Sequence, residues 1–176
     1  MATNDLAKLV SAVERRVAAD GAHDTAVAAL RLYRSSAPSD LAAVVYEPAL
    51  CVVAQGAKEV VIAGETHRYD PAHALLASVD VPASCRVVEA SQARPCLMAR
   101  VSLDPAVVGE LLAEGTTSPP PGAPVRGLDA VCRLVALLDA PQDVGPLAPL
   151  VLREITYRVL TGPSGPPKGS PVRSGG

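Results

Sequence analysis

The sequence predicts an α+β chain, mainly β: one small barrel or sandwich of short strands, preceded by a helix and followed by a helical hairpin. Three observations carry this. Positions 25–103 break into short apolar runs separated by Gly, Pro, Asp and Ser, with no helical period between them. The flanking segments instead repeat their apolar residues every three or four positions. The run from Leu50 to Ala54 has no polar break, as in a strand covered on both faces.

Taken in order, Asn4 is placed to cap a helix running to about Ala19, with Leu6, Leu9, Val10, Val13 and Val17 on one stripe and Asp20-Gly21 as its stop. Strands are expected at Val27–Tyr33, Ala43–Tyr46, Leu50–Ala54, Glu59–Ala63, Thr66–Tyr69, Ala74–Val79, Cys85–Ala90 and Cys96–Leu103. Glu47-Pro48 holds the entry to the third of these extended, and Gly56 ends it. Gly64-Glu65 reads as a tight Gly-X hairpin. In the last strand Leu97, Ala99, Val101 and Leu103 alternate with Met98, Arg100 and Ser102.

Asp104 caps and Pro105 opens a helix to about Glu114. The prolines at 119, 120, 121 and 124 make 115–127 a loop. Two amphipathic helices follow, Leu128 to Asp139 and Pro146 to Thr161, joined as a hairpin. From Pro163 onward 11 of 14 residues are Pro, Gly or Ser, so a disordered tail is expected there. The chain thus divides into an N-terminal helix (1–24), a β segment (25–104), a helical segment (105–162) and a tail (163–176).

A length of 176 residues suits one ordinary domain with appended helices. The formal net charge is −2, and Trp and Phe are absent, so neither a cationic DNA face nor an aromatic stacking platform is expected. No apolar run approaches the roughly 20 residues of a membrane span. Asn4, Asp5, Glu14, Arg15 and Arg16 interrupt anything resembling a signal peptide, which points to the cytoplasm. The cysteines at 51, 85, 96 and 132 form no Cys-x-x-Cys pair and read as small apolar residues. Cys85, beside Arg86, is the best placed of them for thiol chemistry.

Residues for catalysis are sparse. The serines lie in no nucleophile-elbow pattern and no Gly-rich phosphate loop opens a helix, so no catalytic residue is assigned. His67 and His73 flank the turn Asp70-Pro71, with Glu65 nearby, as the nearest approach to a metal set. No metal site and no cofactor is assigned. Glu47, Glu89 and Arg100 sit on or beside strands, where an inward charge needs a partner or a ligand.

Several segments in order resemble the sensor domain of AraC-type transcriptional regulators. They are Leu32-Tyr33-Arg34-Ser35, the run Tyr46-Glu47-Pro48 through Gln55-Gly56-Ala57-Lys58, Tyr69-Asp70-Pro71, Ser78-Val79-Asp80-Val81-Pro82, Val88-Glu89-Ala90-Ser91, Leu103-Asp104-Pro105 and Leu152 through Pro163. The resemblance implies a cupin-like β-barrel over 25–104 that binds a small effector, helices over 105–162 that mediate dimerisation, and a helix-turn-helix reader. The Pro/Gly/Ser tail stands where that reader would begin, so the chain alone is expected not to bind DNA. The alternatives are a small cupin-type metal-dependent enzyme, disfavoured because the sequence lacks a His-x-His pair, or a non-functional remnant. For a barrel ligand, Tyr46, Gln55, Ser78 and Arg100 are the candidate polar contacts, in a small aliphatic pocket where Arg100 favours an acidic or carbonyl-bearing compound. For a homodimer, Leu134 and Leu138 are the candidate contacts.

Overall fold

The computed structural model describes residues 2–71, 73–77, 80–115 and 127–161. Helix α1 (Ala2–Glu14) leads into strands β1 (Gly21–Asp24), β2 (Leu30–Ser35), β3 (Ala42–Tyr46), β4 (Ala49–Gln55), β5 (Ala57–Ile62), β6 (Glu65–Tyr69), β7 (Leu75–Ala77), β8 (Val81–Glu89) and β9 (Cys96–Ser102). Helices α2 (Pro105–Ala113), α3 (Leu128–Ala136) and α4 (Pro141–Thr161) follow, with a single 3-10 turn at Leu137–Asp139. The strands make two antiparallel sheets, ordered β1-β2-β9-β4-β7 and β3-β8-β5-β6. They face each other as the walls of a barrel, the α+β, cupin-like architecture that the sequence predicts, although the helices hold as many of the described residues as the strands and the chain is not mainly β.

The central strands of the first sheet, β4 and β9, are buried on both faces, and their period of two decides what lies on each. Leu50, Val52 and Ala54 of β4 and Leu97, Ala99 and Val101 of β9 point outward, into a core shared with Leu9, Val13 and Val17. Val131, Leu134 and Val135 of α3 and Val151 and Ile155 of α4 complete that layer. The alternate residues Cys51, Val53, Cys96 and Met98 point inward, where they meet Tyr46, Val60 and Tyr69 of the other sheet. Both β4 and β9 therefore lose water from both sides, which is why no polar residue interrupts Leu50 to Ala54.

Gly56 makes the corner at which the chain leaves the first sheet for the second. Its φ of +82° suits glycine, and a Cβ there would lie 2.4 Å from the carbonyl oxygen of Glu89 and 2.9 Å from Cα of Cys96. Gln55 steadies the same corner by donating its side-chain amide to the carbonyl of Pro95 at 2.9 Å.

Several boundaries differ from the sequence reading, each for a local reason. Helix α1 begins at Ala2, so Asn4 lies in its first turn instead of capping it, and the helix ends at Glu14. Asp20-Gly21 does not stop the helix directly but opens an edge strand, β1, anchored where Asp20 accepts hydrogen bonds from the Ser36 backbone N–H (2.9 Å) and hydroxyl (2.7 Å). Those bonds hold the Asp20 carboxyl below its usual range. The strand expected from Val27 begins at Leu30, because the Thr25 hydroxyl donates to Val27 and Leu30 carbonyls and accepts from the Val27 N–H, folding 25–29 into a turn. The hairpin is Ala63-Gly64, not Gly64-Glu65: Ile62 pairs with Glu65, and φ is positive at both Ala63 (51°) and Gly64 (84°), as a type I′ turn requires. Pro141 opens α4 a full turn before Pro146, which lies inside the helix with Pro149. At α2 the expected cap is present, with Asp104 accepting from the Ala106 N–H at 2.8 Å.

Replacing Gly56 and Gly64 separately by Ala distinguishes backbone strain from crowding. Both have φ above +80°, but Gly64 has open space around its Cβ position. Gly64→Ala is expected to cost about 1–2 kcal/mol in urea unfolding, the left-handed penalty alone. Gly56→Ala should cost clearly more, and equal losses at the two sites would show that the corner accommodates a methyl group.

Candidate functional site: the barrel interior and its open end

The inward face of the second sheet is set by the same alternation. On β5, Lys58, Val60 and Ile62 share the inward side; on β6, Tyr69 and His67 do; on β8, Ala83, Cys85 and Val87 do. Register places Cys85, Val60 and His67 across neighbouring strands in one row, and Val87, Lys58 and Tyr69 in the next. The opposite wall has rows of its own: Arg31, Arg100, Cys51 and Leu75, then Tyr33, Met98 and Val53.

At the centre two phenols meet. The hydroxyls of Tyr46 and Tyr69 lie 3.1 Å apart in one buried hydrogen bond. Burial raises the pKa of both phenols well above its ordinary value. Burial also pushes the Cys51 thiol up to about 11. These buried phenols and the Cys51 thiol are therefore neutral, and cations enter the barrel at its two ends.

One end holds Arg100. It lies on the barrel side of β9, directly opposite Cys51, with a side chain only 18% exposed. It donates to the Ser102 hydroxyl at 2.9 Å and to the exposed Glu47 carboxylate at 3.2 Å. Arg100 and Glu89 do not pair with each other: Glu89 takes Arg68 on the outer surface.

The other end is open. A cavity of about 190 Å³ is lined by Tyr33, Lys58, Val87, Cys96 and Met98, with Gly21 and Ala22 of the edge strand and Arg34 and Ser35 of β2 completing the lining. Lys58 reaches inward there, its ammonium 6.0 Å from the centre of the Tyr69 ring. Arg100 and Cys96 are four residues apart on β9, so the two ends are separated by roughly 13 Å along the strand. A larger groove, about 590 Å³, lies outside the barrel between α1 and α3, where its charges already pair as Lys8–Asp5, Arg15–Asp139 and Arg133–Asp129.

Of the four ligand-contact residues expected from sequence, the fold brings Tyr46 and Arg100 both into the neighbourhood of the Cys51 thiol. Gln55 is committed to the β8–β9 loop through Pro95. Ser78 lies outside the described residues. Lys58, Tyr33 and Met98 line the open end and are not among the contacts expected from sequence; the alternation of Lys58 with Val60 and Ile62 is the signal that points to Lys58. Cys85 lies beside the Tyr46 hydroxyl, while Arg86 points to the other face and binds Glu59 at 2.7 Å. The two histidines take separate carboxylates, His73 with Asp70 at 2.9 Å and His67 with Glu65 at 3.8 Å. Among the described residues no three His, Cys, Asp or Glu side chains gather around one point.

The residues expected at a dimer contact are also placed. Leu134 is fully buried in the helix–sheet core, and Leu138 is half-buried against it. Leu134 is therefore internal packing, because its side of α3 faces α1 and the sheet. The exposed apolar side chains of the helical layer are instead Leu147, Leu150 (64% exposed) and Tyr157 (48%) of α4, with Leu112 of α2. No helix among the described residues is long and apolar enough to cross a membrane.

Residues 26–167 match the family model described as the AraC-type transcriptional regulator N-terminus. No curated protein matches the chain. Among solved structures, a cupin superfamily protein from Desulfitobacterium hafniense aligns at 12% identity over 43% of this chain and 66% of its own, with a TM-score of 0.34. A cupin-superfamily sugar phosphate isomerase from Silicibacter pomeroyi aligns at 21% identity over 41% of this chain and 47% of its own, with a TM-score of 0.30. Drosophila melanogaster CENP-C bound to CAL1 aligns at 11% identity over 56% of this chain and 97% of its own, at 0.36.

The phenol pair gives a measurable coupling. Tyr46→Phe and Tyr69→Phe should each cost about 1–3 kcal/mol, since each leaves the other hydroxyl buried without its partner. The double variant should cost less than the sum. Unfolded tyrosines ionise near pH 10 and the folded pair does not, so their contribution is complete below that pH and lost as pH rises past it. Alkaline urea titrations of the double variant should show a shallower decline than the parent; strict additivity and parallel declines would mean that the hydroxyls do not interact.

Proposed function

Because the chain belongs to the family of AraC-type transcriptional regulator N-termini, we propose that it is the effector-sensing and self-associating part of such a regulator. The observation that carries this reading is the sheet shared by the barrel and the helical layer. On β9, Cys96 and Met98 face the barrel, while Leu97, Ala99 and Val101 face α1, α3 and α4. A ligand that shifts the inner residues moves the outer ones with them, because close-packed cores transmit small displacements. The helices would then report barrel occupancy to whatever they hold.

Self-association is assigned to α4. Leu147, Leu150 and Tyr157 fall on one side of the helix and stand exposed in the monomer. Arg153 braces α4 against α2 through Glu110 and Glu114, both at 2.7 Å, so the stripe is presented on a fixed frame. DNA reading is not assigned to this chain. Its formal net charge of −2 supplies no cationic excess for phosphate contacts.

Leu150→Glu tests the pairing. It should leave the thermal midpoint of the monomer nearly unchanged and shift the chain to monomer in sedimentation equilibrium. Leu134→Ala, in contrast, should cost about 2–5 kcal/mol of folding stability, as expected of a buried leucine. A parent chain that is monomeric at high concentration, or a Leu150→Glu variant that dimerises as tightly as the parent, would refute the assignment. Effector sensing is tested by thermal stabilisation with a broad panel of neutral and charged metabolites.

A further inference from the structure

We propose that the effector is a small organic carboxylate, held at the open end of the barrel with its charge on the Lys58 ammonium and its apolar body against Tyr33, Val87 and Met98. This rests on the effector-sensing reading above and narrows it to one mouth of the barrel and one ligand chemistry.

The first observation is a cation without a counter-ion. Arg31, Arg34, Arg86 and Arg100 on the surrounding strands each hold a carboxylate, from Asp24, Asp20, Glu59 and Glu47 respectively, and Arg68 holds Glu89. Among the described residues Lys58 holds none, although it is half-buried. The acids closest to it along the strands are already taken: Glu59 faces the other side of the sheet and binds Arg86, and Glu89 binds Arg68. An ammonium drawn partly out of water with no anion beside it is an unfavourable arrangement, and a bound anion relieves it.

The second is direction. The ammonium sits near the Tyr69 ring, and its field reaches the thiols of Cys51 and Cys96. Lys58 thus points into the barrel, not along its rim. Burial keeps the thiols of Cys51 and Cys96 and the phenols of Tyr46 and Tyr69 protonated, so none of these four groups answers that charge.

The third is the shape and lining of the space. The cavity of about 190 Å³ adjoins Lys58 and is walled by a methionine, a valine, a cysteine and a tyrosine ring. It is smaller than the roughly 300 Å³ at which drug-sized pockets begin. Two cations line it, Arg34 and Lys58, and Arg34 is already paired with Asp20, so Lys58 is the charge left to face the apolar surfaces. A single ammonium is a point charge, which suits a carboxylate on a small hydrocarbon body. A bare inorganic phosphate would answer the charge and leave the apolar wall without a partner.

The sequence contains two methionines, Met1 and Met98, so a ¹³C-methyl methionine label places one reporter in the cavity wall. The labelled full chain is titrated at constant ionic strength with butyrate, benzoate, the two corresponding amides and inorganic phosphate. At least one carboxylate should shift the Met98 methyl resonance saturably and raise the thermal midpoint, with its amide at least tenfold weaker. Lys58→Met should weaken the carboxylate at least tenfold while its own spectrum remains that of a folded protein; Lys58→Arg should retain part of the affinity. Equal binding of acid and amide, binding unchanged in Lys58→Met, or phosphate binding as tightly as the best acid would each overturn the proposal while leaving effector sensing in place. Silence from all five compounds would also overturn it, and the neutral arm of the metabolite panel then decides separately whether the barrel senses anything.

Discussion

Burial of β4 and β9 on both faces is the constraint from which the rest of the molecule follows. A strand in a two-layered sandwich needs one apolar face and leaves the other to water. Here the inner face closes the barrel and the outer face carries α1, α3 and α4, so both sets of alternate residues must be apolar. The core on the outer face draws on residues from the N-terminal helix, the strands and the C-terminal helices alike. Removing the helical layer would expose Leu97, Ala99 and Val101, so the barrel and the helices stand or fall together as a folding unit.

The same arrangement explains where polarity is allowed. With both faces of the central strands apolar apart from Arg100 near one end of β9, charge falls mainly on the edge strands, the second sheet and the helix surfaces. Ion pairs there, such as Arg86 with Glu59 and Arg133 with Glu154, are exposed to solvent and add little stability individually. They matter in another way. By occupying the acids on the neighbouring strands, they leave the inward-facing ammonium of Lys58, among the described residues, without a carboxylate partner at the open end. The other end is different, since Arg100 there has both Ser102 and Glu47.

The phenol pair at the centre shows how the interior tolerates polar atoms at all. Each hydroxyl answers the other, and deep burial keeps both protonated. Tyrosine supplies the bulk that a chain without Phe or Trp must find elsewhere. Two large rings meeting at one point also leave the cavity at the Lys58 end as the space between the walls that they do not fill.

The sequence by itself determined the periodicities and hence the elements. The alternation in Cys96–Ser102, the unbroken run Leu50–Ala54 and the Asp104-Pro105 helix start are local facts, written in side-chain types and spacing, and each survives into the structure. Ordered likeness along the chain was equally legible and led to the right family. What local patterns cannot carry is pairing between distant residues. That Thr25 folds the segment before β2, that Asp20 anchors an edge strand through Ser36, and that Gln55 is spent on Pro95 all depend on contacts that exist only once the sheets have closed. The same holds for Leu134 and Lys58. A helix stripe shows that Leu134 is apolar but not whether sheet or solvent lies opposite, and an alternating strand shows that Lys58 shares a face with Val60 but not that every acid within reach is already taken. Tertiary structure decided those questions because burial and charge neutralisation belong to neighbourhoods in space, whereas propensity and period belong to the chain.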